Sequence, residues 1–270
     1  MNQAVIFRLV AAAGLLLATA ACQTVIDLDL QDAAPRLTIE GQLTDDGQPA
    51  TVRLIRSVGF TAASSFPAVG GAFVTLRDNA GGLDTLRETA AAGQYRGRTL
   101  RGQVGRRYTL RVEVEGQAYT ATSALLPAVP LIGLQVRPSG FGDELELLPE
   151  YQDPAGVPNY YVFRLYRNGR LTQGIFVQSD QLTDGQPNSV ALNVQGPSPA
   201  EDALLAGDSV RVDMQHIDAG VYEYFRTLNM LLQVGLASAS PANPTSNFSG
   251  GALGYFSAYA QQQRRAKIPR

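Results

Sequence analysis

From Arg36 onward, apolar residues recur at every second position. A period of two leaves a polypeptide one economical way to bury them, in strands with one face on a core. Leu37 and Ile39, Val52 and Leu54, Val74 and Leu76, and Tyr108, Leu110, Val112 and Val114 each alternate with polar or charged neighbours. Between these runs stand Asp46-Gly47, Asp78-Asn79-Ala80-Gly81-Gly82 and Glu115-Gly116, residue types that accept positive φ where a chain must reverse. Turns at about every 8 to 12 residues predict antiparallel sandwiches.

The segment Leu126-Pro127-Ala128-Val129-Pro130 breaks the pattern, because each proline removes a backbone donor and disfavours helix in the residue before it. A boundary is expected there, between a β-sandwich domain over residues 36–127 and a β-rich domain over residues 131–270. The second region resumes with Ile132, Leu134 and Val136, then Leu145 and Leu147. Tyr160 to Arg167 meets Arg170 to Gln178 through Asn168-Gly169, a strong short hairpin signal. Further strands are expected over residues 190–194, 210–216 and 253–260. One helix, at about 219–234, is predicted from Val221, Tyr224, Phe225, Leu228, Leu231 and Leu232 on one face, with Asp218 as its cap. The fold class is therefore mainly β: two β-sandwich-like domains of immunoglobulin or transthyretin type, the second with one packed amphipathic helix. Gly93-Gln94-Tyr95 followed by Gly105 to Val112 resembles the strand pair of transthyretin-like and carboxypeptidase-regulatory-like modules.

The N-terminus carries an address. Met1 to Arg8 is followed by a run from Leu9 to Ala21 without charge, ending in small residues, as in a secretion signal. Such a run rises only about 20 Å, short of the roughly twenty residues needed to span a bilayer. Thr19-Ala20-Ala21-Cys22 resembles a bacterial lipobox, with Thr19 where leucine is common, and Cys22 is the chain's one cysteine. The expectation is a signal peptide over residues 1–21, lipid attachment at Cys22 and a tether over residues 22–35. Two or three acyl chains, at about 0.8 kcal/mol per buried methylene, hold a protein stably on a membrane. The competing reading is an ordinary cut after Ala20, which would leave Cys22 a free thiol.

The chemical inventory is thin. With 22 basic and 24 acidic residues the net charge is −2, which gives no electrostatic footprint for nucleic acid. One cysteine and one histidine exclude an intramolecular disulfide, thiolate zinc sites and multi-histidine centres. His216 alternates with Val210, Val212 and Met214 and reads as a core-edge histidine bonded to backbone rather than a catalytic base. No phosphate loop or D-x-D-x-D-G calcium pattern is present, although an irregular calcium site built from Asp residues and loop carbonyls remains open. No catalytic residue, cofactor or metal site is nominated, and the chain reads as a non-enzyme. The weak ligand-binding candidates are loop aromatics: Phe60 and Phe66 in the Ser/Ala/Gly-rich segment from Ser57 to Gly71, and Phe141 between Gly140 and Gly142. Tyr255, Phe256 and Tyr259 read as core.

Three segments in order, Cys22 to Asp29, Pro35-Arg36-Leu37-Thr38-Ile39-Glu40-Gly41 and Ser246 to Phe256, resemble a family of Gram-negative lipoproteins known only as a domain of unknown function, the 4249 family. The resemblance implies an outer-membrane protein, facing the periplasm or the exterior, that accompanies a TonB-dependent transporter in ligand capture or assembly. The leading expectation is thus a lipid-anchored accessory protein with an unknown ligand. The alternative is a structural or adhesive surface module with no transport role.

Overall fold

The computed structural model describes residues 34–58, 66–138, 145–192, 203–234 and 243–269. The expected signal peptide, Cys22 and all but the end of the tether lie outside these residues. The described elements are, in chain order, β1 (Leu37–Thr44), β2 (Pro49–Arg56), β3 (Phe73–Asp78), β4 (Leu83–Glu88), β5 (Gln94–Arg101), β6 (Arg107–Val114), β7 (Gln117–Ala124), β8 (Leu131–Pro138), β9 (Leu145–Gln152), β10 (Tyr160–Arg167), β11 (Arg170–Ser179), β12 (Pro187–Ser189), β13 (Ser209–Ile217), α1 (Ala219–Val234) and β14 (Leu253–Lys267). Eleven strands share one hydrogen-bonded order, β11-β10-β13-β14-β1-β2-β5-β4-β3-β6-β7, and three form the order β12-β9-β8. The described residues are mainly β, built from sandwich-like sheets with one helix.

The long sheet folds on itself. β4 meets β5 only at Arg87–Arg96 and Glu88–Tyr95 before pairing with β3, and β7 comes back beside β14, where Ser123 Oγ accepts from the Ala258 N–H at 2.9 Å. The enclosed core takes the predicted alternating residues, Ile39, Leu54, Leu76, Tyr108 and Leu110, together with Phe256 from the far end of the chain. Burial of each such side chain contributes about 1.5–3 kcal/mol. The Tyr108 hydroxyl accepts from the Gln103 N–H at 2.7 Å and donates to the Arg101 carbonyl at 3.1 Å, which pins the β5–β6 connection. β5 and β6 themselves are not paired: β5 lies between β2 and β4, and β6 between β3 and β7. The suggested transthyretin-like strand pair is therefore absent.

The second core lies between β8, β9, β12 and the β10–β13 part of the long sheet, with Leu147, Tyr151, Tyr161, Phe163, Leu165 and Val212 buried. Asn168 and Gly169 turn the β10–β11 hairpin at φ of 48° and 83°, the backbone that the dipeptide predicts. β8 begins on buried Leu131, not on Ile132, which is 59% exposed, because the ladder to β9 shifts register between Leu131 and Gly133. Of the strand expected over residues 190–194 only 190–192 are described: β12 forms just before them at Pro187–Ser189, and Leu192 makes one isolated bridge to Leu147.

A third cluster packs Val221, Tyr224 and Phe225 of α1 on Val162, Ile217, Tyr255 and Tyr259. Asp218 caps α1 as predicted, its Oδ1 accepting from the Val221 N–H at 3.1 Å. The apolar stripe is shorter than its sequence, since Leu232 is 60% exposed.

β14 joins the cores. Its residues 253–259 run parallel to β1, and residues 260–267 pair antiparallel with β13. Phe256 and Ala258 enter the first core, while Tyr255 and Tyr259, on the opposite face, enter the cluster under α1. Gly254 holds φ at 93° with the Ile39 carbonyl where a Cβ would stand, 2.1 Å away, so only glycine permits the parallel approach. Leu125 belongs to the first core and Val129 to the second. Across the proline-rich segment between them, residues 35–270 hold together as one unit.

Candidate functional site

The alternation that buries one row of each strand leaves the other row of β1, β10, β13 and β14 on a common face, and α1 covers part of it. The uncovered part is a cleft of about 710 Å³, within the size range of small-molecule sites. Glu40, Gln42 and Thr44 come from β1, between the buried Ile39, Gly41 and Leu43. β10 supplies Arg164 and Tyr166, β13 supplies Asp213 and Gln215, and β14 supplies Tyr255, Tyr259 and Gln261. Ile175 of β11, Tyr224, Phe225 and Leu228 of α1 and Asp45 and Asp46 of the β1–β2 turn complete the lining.

Gln42 organises the aromatic side. Its Nε2 donates to the Tyr255 hydroxyl at 3.0 Å and its Oε1 accepts from the Tyr259 hydroxyl at 3.4 Å. The Tyr255 ring lies 4.8 Å from both Tyr224 and Phe225, and the Arg164 guanidinium stands 5.7 Å from the Phe225 centroid. On the polar side Gln215 Nε2 donates to Gln261 Oε1 at 3.4 Å. Gln263 Nε2 donates to Asp213 Oδ1 at 3.0 Å, and Arg211 pairs with Asp213 while lying 3.6 Å over the Tyr166 ring. Burial pushes the phenols of Tyr255 and Tyr259 above their ordinary value and that of Tyr224 up to about 12. All three stay neutral at physiological pH and present hydroxyls as donors and acceptors.

Four carboxylates, Glu40, Asp45, Asp46 and Asp213, line the cleft with Arg164; ion pairs to Arg53 and Arg211 already offset Glu40 and Asp213, which leaves Asp45 and Asp46 against the one lining arginine. That balance disfavours anions and suits a neutral or cationic molecule rich in hydrogen-bonding groups. No Ser, Cys or His is among the described residues that line it.

The residues nominated from sequence lie elsewhere. Phe60, Phe141 and Cys22 fall outside the described residues, and Phe66 is 52% exposed and does not line the cleft. His216 is buried, as expected, and its Nδ1–H donates to the Pro127 carbonyl at 2.6 Å. Burial holds its pKa below the ordinary value, against the opposing pull of that bond and of the Asp153 and Asp180 charges. The close grouping of metal-ligating side chains among the described residues, Asp153, Asp180 and Asp184, is also outside the cleft. The cleft residues did carry a sequence signal: polar and aromatic side chains at the non-core parity of β1 and β14. Which strands would lie side by side was not visible.

A family model described as Domain of unknown function (DUF4249) matches residues 23–265. The chain belongs to that family. The DUF4249 match opens directly after Cys22 and takes in α1 and the strands as far as Arg265 in β14. No curated protein matches the chain. Among solved structures, a DUF4785 family protein from Legionella pneumophila is similar at 11% identity and a TM-score of 0.27, over 68% of this chain and 53% of that one, so the match spans about half the Legionella chain. A two-domain fibronectin type-III segment of chicken tenascin is similar at 12% identity and a TM-score of 0.22, over 68% of this chain and 91% of that one.

Proposed function

We propose that this DUF4249 protein is a lipid-anchored outer-membrane accessory protein that holds a polar ligand in the β1–β14 cleft, beside a TonB-dependent transporter. The observation that carries the ligand-binding part is the cleft itself: hydroxyls, amides and carboxylates converge there on an open sheet face already braced by hydrogen bonds. A site preset in this way orders few side chains on binding, which lowers the entropic cost. The lipid anchor at Cys22 rests on the position of the chain's one thiol directly after the apolar run, and a family match opening at Gln23 supports it. No helix among the described residues is long and apolar enough to cross a membrane. The proposed attachment is accordingly by acyl chains.

The test has two arms. Radiolabelled palmitate is expected to enter the wild-type chain and not Cys22→Ala. The protein purified by affinity from solubilised outer membranes is expected to bring a β-barrel transporter with it, and its deletion to reduce uptake of that transporter's ligand. Uptake left intact after deletion would favour the structural or adhesive module.

A further inference from the structure

Asp153 follows β9, Asp180 follows β11, and Asp184 lies four residues further in the turn before β12. One carboxylate oxygen from each lies within 4.8 Å of the other two. Asp153 and Asp180 are 2% and 4% exposed, and Asp184 is exposed. Among the described residues, the donors that reach them are neutral. The Tyr161 hydroxyl and the Gly185 N–H (3.1 Å) serve Asp153, the Asn159 N–H (2.8 Å) and amide (3.2 Å) serve Asp180, and the Gly156 N–H (2.8 Å) serves Asp184. None of the ion pairs among the described residues includes any of the three. Buried carboxylates are normally paired with a cation or bound to a metal.

A second observation points into the same place. Tyr151 lies two residues before Asp153 on the same face of the chain, and its ring packs edge-on against Tyr161 at 5.0 Å. Its hydroxyl is fully buried and has no hydrogen-bond partner among the described residues. Burial first, and then the charges of Asp153 and Asp180, hold its proton more tightly than in an ordinary phenol. A buried hydroxyl left unbonded beside uncompensated carboxylates is the arrangement expected where a hydrated cation would sit.

We propose that Asp153, Asp180 and Asp184 form a calcium site, with the Tyr151 hydroxyl available to the ion or to a water bound to it. The donors are oxygen only, which selects a hard cation, and calcium accepts an irregular set of carboxylate and loop ligands where magnesium demands a near-ideal octahedron. Asp180 and Asp184 also line a depression of about 910 Å³ that opens an entry path. The ion would tie the β9–β10 loop to the β11–β12 turn. This site is independent of the ligand cleft.

Full-length protein in detergent is stripped with a chelator and titrated with calcium or magnesium at equal ionic strength, reading thermal midpoint and tyrosine-sensitised terbium luminescence. Calcium is expected to raise the midpoint by several degrees and to displace terbium at least ten-fold more readily than magnesium, with a dissociation constant of about 10⁻⁴–10⁻³ M, as in extracellular modules. Asp180→Asn is expected to abolish both signals. Should that buried variant not fold, Asp184→Asn, at an exposed position, is expected to fold with an unchanged midpoint in chelator and to weaken calcium at least ten-fold. No calcium-dependent shift, a shift that Asp184→Asn leaves intact, or equal displacement by magnesium overturns the proposal.

Discussion

Asp218 Oδ2 accepts the backbone N–H of Ala124 at 3.0 Å and the hydroxyl of Ser123, while its Oδ1 caps α1 through the Val221 N–H. One carboxylate thus starts the helix that walls the cleft and fastens that start to β7, an edge strand of the long sheet. Losing a cap costs about 1 kcal/mol, and a hydrogen bond to a charged group contributes about 1.5–3 kcal/mol. Asp218→Ala is expected to lower stability by about 3 kcal/mol in urea unfolding, and Asp218→Asn, which keeps an acceptor for the cap, by less.

Gly254→Ala tests the β1–β14 junction. The added methyl meets the Ile39 carbonyl at 2.1 Å and must also hold φ near 93°. Neither strain can relax without parting the parallel strands, so a loss of at least about 3 kcal/mol is expected. Gly47→Ala, where nothing lies within 4 Å of the new methyl and only the positive φ of 78° is strained, should cost about 1 kcal/mol.

Acid stability should fall on the carboxylates held by backbone amides. Asp84 Oδ2 accepts from the N–H groups of Arg98, Thr99 and Leu100 at 2.7, 2.8 and 3.0 Å. Burial alone would raise its pKa, but these three bonds together outweigh burial and hold it below the ordinary carboxylate range. Asp78 and Asp208 are likewise lowered, because backbone and side-chain donors, Arg106 and Arg167 among them, exceed the burial effect. The folded pKa lies below the unfolded one, so this stability is complete above about pH 5 and is lost as pH falls through the folded values. Asp84→Ala is expected to cost about 3 kcal/mol at pH 7 and to flatten the decline in thermal midpoint below pH 4.

His216 acts in a higher window. Its folded pKa is lowered, chiefly by burial, so the unfolded chain takes up the proton first as pH falls below about 6.5 and stability declines from there. His216→Gln is expected to remove the slope of the thermal midpoint between pH 7 and 5. A slope that persists unchanged would place the titrating group elsewhere.

The parity of the strands, the Asn168-Gly169 hairpin and the Asp218-capped helix were legible because each is written in residues a few positions apart. Pairings between distant segments were not. Leu253 to Ala260 reads as an aromatic strand, but its parallel partner β1 lies more than two hundred residues earlier, and only Gly254 hints at a close approach. The cleft follows from that pairing: Gln42 matters because β1 sets it beside Tyr255 and Tyr259. For the same reason the grouping of Asp153 with Asp180 and Asp184 is invisible in the sequence until two loops bring them together.

The cleft account is tested most directly by native mass spectrometry of the protein purified in detergent from its native cells, wild type beside the Gln42→Ala, Tyr259→Ala double variant. The account predicts a mature wild-type chain beginning at acylated Cys22 and carrying a small neutral or cationic adduct, with the same acylation and no adduct in the double variant. An unacylated Cys22, or an adduct retained equally by both proteins, would contradict it.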